Sequence, residues 1–261
     1  METKNKLIRL KGIISRMGSV VVAFSAGLDS TFLLKVASLA LPKDRILAVT
    51  ASSATYPHEE LSFAKKIARQ LNVRHKIIKT NELKDRRFVS NPPQRCYFCK
   101  KELFVRLNSI ARELKFNFVA EGSNISDRMD HRPGNKAKRE LGVRSPLDEA
   151  GLDKKDIRRL SKALNLSTWD KPNLACLASR IPYGVEIKPA LLKRIAKAED
   201  ILRKIGLRQV RARHMGEVCR IEVLKEEIPL VIRHRDLIVG KLKRLDYNYI
   251  VLDLGGYRLG G

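Results

Sequence analysis

Acidic residues and long apolar runs are both scarce in this sequence of 261 residues. Asp and Glu together number 28 against 53 Lys and Arg, which gives a formal net charge of +25. No apolar run is long enough to span a bilayer, and the charged N-terminus leads straight into an amphipathic helical pattern. We therefore expect no signal peptide, no membrane span and a cytoplasmic protein. The charge favours an anionic partner, either a nucleotide, a phosphorylated metabolite or nucleic acid, unless it is only a solvated basic surface.

Cysteine is also rare, with four residues in the whole chain. So few cysteines in a cytoplasmic protein argue against structural disulfides and favour metal binding or chemistry. Cys96 and Cys99 are spaced Cys-x-x-Cys just before a predicted helix at Glu102–Leu114, whose N-terminus favours thiolates. A zinc ribbon would need a second such pair, which the sequence lacks. Bound zinc and a plain thiol pair both stay open as interpretations. Cys219 lies in an alternating strand pattern and is expected to pack in the core.

The third thing missing is the lysine of a Walker loop. The apolar run Val20–Phe24 breaks into the small and polar residues Ser25–Ser30 and is followed by helical spacing. A buried strand, a tight turn and a helix N-terminus form a cradle for phosphate, in which hydroxyl groups add donors. Because the turn does not end in Lys-Ser or Lys-Thr, a kinase or GTPase loop is not expected.

The pattern along the chain predicts an α/β protein with a doubly wound parallel sheet and a smaller C-terminal α+β domain. We place the domain boundary between residues 170 and 171. The predicted strands are Val20–Phe24, Ile46–Thr50, Arg74–Lys79, Phe118–Ala120, Gln209–His214, Cys219–Leu224 and Tyr249–Leu254. The predicted helices are Lys6–Arg16, Glu59–Leu71, Glu102–Leu114, Lys154–Leu164, Pro189–Ile205 and Ile228–Leu245, with a further one directly after the cradle.

Polar residues follow two of these strands, at the carboxyl edge where nucleotides bind in parallel sheets. A polar loop follows Thr50, and Glu121-Gly-Ser-Asn124 follows the strand Phe118–Ala120. The polar stretch Asp127–Ala137 is predicted to be a mobile loop over the site. The residues expected to bind a nucleotide at this edge are Ser25, Gly27, Asp29, Ser30, Thr50, Gly122 and Asn124.

The cradle resembles the Ser-Gly-Gly-x-Asp-Ser loop of the PP-loop ATP pyrophosphatases, the adenine nucleotide alpha hydrolase-like fold, except that Ala26 replaces the first of two glycines. The methyl group would matter if this turn needs a positive φ. The loop Pro-Pro-Gln-Arg-Cys-Tyr-Phe-Cys, the Glu-Gly-Ser-Asn edge and Ala-Cys-Leu-Ala-Ser-Arg-Ile-Pro-Tyr-Gly at Ala175–Gly184 extend the resemblance. Over roughly residues 6–258 the chain is similar to the ATP-dependent pyridinium biscarboxylate sulfur transferases (LarE) of nickel-pincer nucleotide biosynthesis.

This resemblance implies that ATP adenylylates a carboxylate of pyridinium-3,5-biscarboxylic acid mononucleotide and that sulfur then displaces AMP. Asp29 would bind Mg²⁺, and Cys176 matches the sulfur-bearing cysteine. With Cys96 and Cys99, Cys176 resembles the three-cysteine subgroup that holds a [4Fe-4S] cluster, reloaded by sulfide or another sulfur donor. The family also forms homo-hexamers. The residues expected to bind the substrate phosphate and carboxylates are Arg180, Arg211, Arg213 and Lys101, of which Arg211 and Arg213 share one strand face.

Three alternatives stay open. In members that have only the one cysteine, that residue gives up its own sulfur, so here Cys176 could be consumed in a single turnover. A tRNA-thiolating enzyme uses the same loop, but no appended RNA-binding unit and no basic run with interleaved aromatics is found, so nucleic acid is not expected as a partner. A non-catalytic nucleotide-binding module would release no pyrophosphate.

Overall fold

The structure is a computed structural model that describes residues 2–56, 58–128, 133–172 and 175–258. None of the helices in these ranges is long and apolar enough to cross a membrane. In chain order the elements are α1 (Glu2–Met17), β1 (Val20–Ala23), α2 (Leu28–Ala40), β2 (Ile46–Ser52), α3 (His58–Gln70), β3 (Arg74–Lys79), α4 (Arg86–Val89), α5 (Arg95–Glu113), β4 (Phe118–Ala120), α6 (Gly134–Glu140), α7 (Pro146–Glu149), α8 (Lys154–Ala163), α9 (Pro189–Arg203), β5 (Val210–Met215), β6 (Val218–Val223), α10 (Ile228–Arg233), α11 (Arg235–Lys243) and β7 (Tyr249–Leu252).

The chain divides into two compact units. The first comprises Met1–Asp85 and Pro93–Asn173, and the second comprises Arg86–Pro92 and Leu174–Gly261. The second unit therefore includes a short segment, with α4, that precedes the Cys-x-x-Cys sequence by only a few residues. The roles predicted for the two domains remain predictions.

The first unit is built on a parallel sheet with strand order β3-β2-β1-β4. Alternate strand residues enter two separate cores because successive side chains point to opposite faces. Val20 and Val22 pack with α1, α2 and α8, whereas Val21 packs with α5 and α6. Helices thus cover both faces, and the predicted doubly wound α/β fold is confirmed.

The strand order creates a switch point beside β1. The chain moves outward from β1 to β3 and then returns to β4 on the other side of β1. Loops that follow β1 and β4 therefore leave the carboxyl edge in opposite directions and leave a crevice between them, which is where open α/β sheets bind ligands.

The second unit contains the smaller mixed sheet that the sequence predicts. β5 and β6 are antiparallel, and β6 and β7 are parallel, in the order β5-β6-β7. Apolar residues on one face, including Ala212 and Ile221, pack with α9, α10 and α11. The opposite face carries charged residues, which are described below.

Three sequence predictions of local structure are wrong. The predicted helix Ile228–Leu245 is two helices that meet at His234, whose ψ of 16° ends the first one without any proline or glycine to signal it. Gly134–Ala137, predicted as loop, begins α6, because Lys, Ala, Arg and Glu after Gly134 favour a helix. Residues 129–132 of the same predicted loop lie outside the described ranges. The third wrong prediction places the cysteine pair before a helix, whereas it lies inside α5.

Candidate active site

The turn after β1 closes on itself through two serines. The hydroxyl oxygens of Ser25 and Ser30 are 3.1 Å apart, and the backbone N–H of Ser25 donates to Ser30 Oγ at 3.3 Å. Gly27 stands before the first residue of α2 in an extended conformation, without a side chain capping the helix. The N-terminus of α2 therefore faces the crevice with its backbone donors, which attract anions.

Ala26, where related loops have glycine, adopts a left-handed backbone with φ of 52° and is fully buried. This conformation costs an alanine about 1–2 kcal/mol relative to the right-handed region. The carbonyl groups on both sides of the strained residue are held from outside the loop. Tyr56 Oη donates to Ser25 O at 2.7 Å, and Lys171 Nζ donates to Ala26 O at 3.1 Å.

The β4 loop approaches the start of α2 so closely that Gly122 has no room for a side chain. A Cβ at Gly122 would lie 3.0 Å from the backbone nitrogen of Ser30 and 3.2 Å from Cβ of Asp29. Asn124, two residues later, donates from Nδ2 to Asp29 Oδ1 at 3.4 Å. The structure thus brings the predicted residues of the β1 turn and the β4 loop to one place.

Asp29 is the carboxylate at the centre of this crevice. Burial raises its pKa above the ordinary value, and Lys154, whose ammonium group is 2.5 Å from Asp29 Oδ2, opposes that rise. The nearby Asp127 carboxylate raises the pKa further. Because burial outweighs one lysine, the charge of Asp29 is only partly compensated, and a divalent cation bound to phosphate would be a favourable additional partner.

Glu121 follows β4 directly and is almost fully buried. Its carboxylate interacts with lysine and serine side chains. Burial alone would raise its pKa, but Lys100, Lys138 and the hydroxyls of Ser123 and Ser145 outweigh burial and hold the pKa below the ordinary value. Ser123 Oγ and Ser145 Oγ donate to the carboxylate at 2.8 and 2.6 Å. Glu121 therefore joins β4 to the first turns of α5 and to α6.

Two predicted ligand-binding residues have other partners in the structure. Thr50 is buried, and its hydroxyl donates to Phe24 O at 2.7 Å and lies 2.8 Å from Nε2 of His75. The bond to Phe24 O holds the chain directly after β1. Lys101 donates from Nζ to the hydroxyl of Tyr97 at 3.0 Å on the surface of α5. Roles for both in binding ATP or substrate stay predictions.

The cysteine pair is part of a helix, contrary to the prediction that it precedes one. α5 begins at Arg95, so Cys96 and Cys99 lie in its first turn, three residues apart on one face. The prediction started the helix too late because cysteine and aromatic residues are modest helix formers, yet no breaker follows Pro93. Cys96 is exposed and Cys99 is partly exposed. Within the described ranges, no three His, Cys, Asp or Glu side chains are grouped closely enough to hold a metal ion.

In the second unit, Cys176 is exposed and stands directly before a short 3-10 turn at Leu177–Arg180. Arg180, predicted to bind substrate, is 2% exposed and turns back to hold this segment. Its guanidinium donates to Ala175 O, to Ser179 Oγ at 2.8 Å and to Glu199 Oε1 at 2.6 Å. In this structure Arg180 holds the backbone carbonyl directly before Cys176 and the side chain of Ser179 after it.

The chain beyond Cys176 is also fastened to the segment that leads into the Cys-x-x-Cys helix. Asn91 is fully buried, with φ of 55°, and its side-chain amide donates to the carbonyls of Pro182 at 2.7 Å and Val185 at 3.0 Å. The backbone N–H of Gly184 donates to Asn91 O, and that of Ile187 donates to Val89 O. One buried amide thus orders most of the turn that follows Arg180.

Arg211 and Arg213 lie on the same face of β5, as predicted. Both face Glu222 of β6, at 3.8 Å from Arg211 and 2.5 Å from Arg213. Arg211 also donates to the hydroxyl of Tyr257 at 2.9 Å, and Arg213 donates to Ser179 O at 3.2 Å. Glu199 and Glu222 each accept from more than one arginine.

The sequence reading missed several residues that the structure places at the crevice. Lys154 had a signal, because a lysine in the first turn of a helix is unfavourable next to the positive end of the helix dipole. Tyr56 and Lys171 had none, since Lys171 lies 145 residues from the loop it contacts. Glu121 was recognised only as part of the β4 edge and not as a charged centre.

Comparison with known proteins identifies the family of this chain. The family model described as queuosine biosynthesis protein QueC matches residues 19–90, which contain the β1 turn. An uncharacterised protein of Synechocystis sp. is 38% identical over 259 residues, or 98% of this chain and 96% of its own. The pyridinium-3,5-bisthiocarboxylic acid mononucleotide synthase of Lactiplantibacillus plantarum is 35% identical over 255 residues, 98% of this chain and 92% of its own. This chain therefore belongs to the family of the pyridinium-3,5-bisthiocarboxylic acid mononucleotide synthases, with a PP-loop fold.

Proposed function

We propose that this protein is an ATP-dependent sulfur transferase. It would adenylylate a carboxylate of pyridinium-3,5-biscarboxylic acid mononucleotide and convert it to a thiocarboxylate, in the biosynthesis of the nickel-pincer nucleotide. The observation that carries the proposal is the 35% identity to the named synthase, which extends over 98% of the chain and so includes both units. The crevice at the switch point supports it, because its turn, amide and carboxylate suit a nucleotide with its metal ion.

In the first step a carboxylate oxygen of the substrate attacks the α-phosphorus of ATP and pyrophosphate leaves. Ser25, Gly27 and Ser30 would bind the departing phosphates with backbone and hydroxyl donors. Asp29 would hold Mg²⁺, which neutralises phosphate charge, and Lys154 would then be free to turn from Asp29 toward a phosphate oxygen. Gly122 and Asn124 keep the β4 loop against this turn.

In the second step a sulfur nucleophile attacks the acyl carbon and AMP leaves, because the adenylate is a far better leaving group than a bare carboxylate oxygen. If Cys176 is the nucleophile, a thioester forms. Loss of a proton from Cα of Cys176 and cleavage of its Cβ–S bond then leave dehydroalanine and the thiocarboxylate, with no net oxidation or reduction. Each chain would work once by this route.

A catalytic route needs renewable sulfur. Cys96 and Cys99 are accessible thiols on one face of α5, which is the donor chemistry that iron-sulfur clusters require, and we propose Cys176 as the third ligand. A [4Fe-4S] cluster held this way would supply a bound sulfide, replenished by sulfide or another donor. Arg211 and Arg213 are proposed to bind the phosphate and carboxylate groups of the substrate. We also propose a homo-oligomer in the cytoplasm.

The test combines ATP, Mg²⁺ and the pyridinium mononucleotide, and measures pyrophosphate, AMP and the product mass. We expect pyrophosphate release that depends on the mononucleotide, and a product in which one oxygen is replaced by sulfur. Cys176→Ala should keep the release of pyrophosphate and lose the thiocarboxylate, whereas Cys219→Ala should retain both. Release without any acceptor effect, or with bulk tRNA as the better acceptor, would contradict the proposal.

Iron and acid-labile sulfide per chain, measured after anaerobic reconstitution, separate the two sulfur routes. Near-stoichiometric four-iron loading that collapses in Cys96→Ser is expected for the cluster route. Absence of iron in the wild type would contradict that route and leave Cys176 as the consumed source, which mass spectrometry of the spent chain would reveal as loss of the elements of hydrogen sulfide.

A further inference from the structure

The turn after β1, Ser25–Ser30, is here called the phosphate turn. Two side chains from outside this turn bind its backbone carbonyl groups. Tyr56 Oη donates to Ser25 O at 2.7 Å, and Lys171 Nζ donates to Ala26 O at 3.1 Å. These are the carbonyl groups of two successive peptide units, one on each side of the strained Ala26. Each bond therefore fixes the orientation of one peptide plane.

Fixing a carbonyl also fixes the N–H of the next residue, because a trans peptide unit is planar and its C=O and N–H point in opposite directions. With Ser25 O turned toward Tyr56, the N–H of Ala26 points away from Tyr56. With Ala26 O turned toward Lys171, the N–H of Gly27 points away from Lys171 and toward the side of the turn where Ser25 Oγ accepts from it at 3.5 Å. Successive N–H groups around a left-handed residue form a concavity that binds anions.

Lys171 is held in this position by burial and by two neighbouring side chains. Its side chain is 15% exposed, its ammonium is 2.7 Å from Glu60 Oε2, and it lies 3.8 Å from the centre of the Phe63 ring. Burial lowers the pKa of Lys171, and Glu60 opposes that effect. Burial also raises the pKa of Tyr56, so its hydroxyl keeps the proton that it donates.

We propose that Lys171 and Tyr56 are positioning residues, which hold the peptide planes of the phosphate turn so that the N–H groups of Ala26 and Gly27 face the pyrophosphate part of ATP. They act through Ser25 and Ala26 and do not touch the nucleotide. The arrangement also explains how Ala26 is kept in a conformation that alanine avoids, since two hydrogen bonds stabilise it. This inference rests on the proposed binding of ATP at the turn.

The test compares the affinities of ATP and AMP by isothermal titration, in the presence of Mg²⁺, for the wild type, Lys171→Met, Lys171→Arg and Tyr56→Phe. Lys162→Met is the matched control, because Lys162 also lies over an aromatic ring, that of Trp169, but is exposed and away from the turn. Thermal unfolding checks that each variant is folded.

We expect Lys171→Met to weaken ATP binding about tenfold, the usual effect of losing a partly buried hydrogen bond, and Tyr56→Phe, which loses a more exposed bond, to weaken it about threefold. AMP binding should stay within about twofold, because AMP lacks the pyrophosphate part. Lys171→Arg keeps the charge and N–H donors, so it should lose less ATP affinity than Lys171→Met. The control Lys162→Met should match the wild type for both nucleotides.

Three results would overturn the inference. One is unchanged ATP affinity in Lys171→Met, and another is an equal loss of ATP and AMP affinity, which would indicate general damage. The third is a loss in Lys171→Met but not in Tyr56→Phe, which would indicate that the lysine contacts phosphate directly. Failure of the proposed function would give different results. A wild type that binds ATP no better than AMP contradicts binding of pyrophosphate at the turn. Pyrophosphate release without thiocarboxylate contradicts sulfur transfer but not ATP binding.

Discussion

Asp29 of the first unit and two buried glutamates of the second unit differ in how far their charge is compensated. In the first unit, Asp29 has one ammonium partner, Lys154, and burial raises its pKa. In the second unit, Glu199 accepts from Arg180 at 2.6 Å and from Arg203 at 2.7 Å. Glu222 is likewise shared among three arginines.

The difference indicates what each surface can bind. An incompletely compensated carboxylate gains from a cation, so the crevice of the first unit suits a metal ion that arrives with phosphates. Three guanidinium groups surround Glu222, and one of them also faces Asp253, so this face of the second sheet keeps an excess of positive charge that suits anionic groups. Because buried charge pairs hold each other in place, the second unit should depend on its carboxylates for folding, and the first should depend on Asp29 for chemistry.

The largest expected effect is on stability in the second unit. Glu199→Ala leaves the Arg180 guanidinium buried without its carboxylate, which typically costs about 3–5 kcal/mol of unfolding free energy. Urea denaturation followed by circular dichroism measures this loss. Glu199→Gln, which keeps an acceptor, should lose less, and a fully stable Glu199→Ala would show that the pair is not structural.

The next effect is on catalysis in the first unit. Asp29→Asn removes the proposed Mg²⁺ ligand, and pyrophosphate release should fall about 100-fold, a typical effect of losing electrostatic stabilisation. The unfolding free energy at neutral pH should not fall, because burial disfavours the ionised carboxylate. A stable variant with wild-type turnover would exclude Asp29 from the reaction.

A third effect concerns Glu121, which differs from Asp29 although both lie at the same sheet edge. Its folded-state pKa is below the ordinary value of 4.5, so the ionised carboxylate adds stability above that pH. This contribution is lost as the pH falls through the lower folded-state pKa. Glu121→Gln should lower the unfolding free energy by about 2 kcal/mol at pH 7 and should flatten its dependence on acidic pH. Identical pH profiles for both proteins would contradict the ion pairing.

The smallest effect separates the four cysteines. Burial raises the pKa of Cys219 to about 12, whereas Cys96 and Cys176 are exposed. In the folded apoprotein, iodoacetamide should modify Cys96 and Cys176 first and Cys219 only after unfolding, as mass spectrometry of digests would show. Cys219→Ala should cost about 1 kcal/mol of unfolding free energy. Rapid labelling of Cys219 in the native protein would contradict its place in the core.

Much of the fold could be predicted from local patterns. The strands Arg74–Lys79 and Phe118–Ala120 have the predicted bounds, because short apolar or alternating runs end at clear turn residues. Helix ends were harder to place, as the early start of α5 at Arg95 shows, since a first turn of cysteines and aromatics carries little local preference. The break at His234 has no sequence signal at all.

The site was predicted in part. The residues of the β1 turn and the β4 loop could be found because each follows directly on a strand, and parallel strands bring such ends together. Lys171, Tyr56 and Asn91 could not, because their partners are backbone carbonyls, which leave no mark in the side-chain pattern. Arg180 was predicted to bind substrate, and its internal bonds to Ala175 and Glu199 appear only in the fold.

The sequence by itself determined the class of fold, the phosphate turn and the cysteines available for chemistry, because strand periodicity and short motifs are local properties. Only the tertiary structure decided that the pKa of Asp29 rises and that of Glu121 falls, since each shift depends on burial and on which cations the fold brings beside the carboxylate. It also decided that Ala26 adopts a positive φ, because side chains from distant parts of the chain hold the carbonyls on both sides of it.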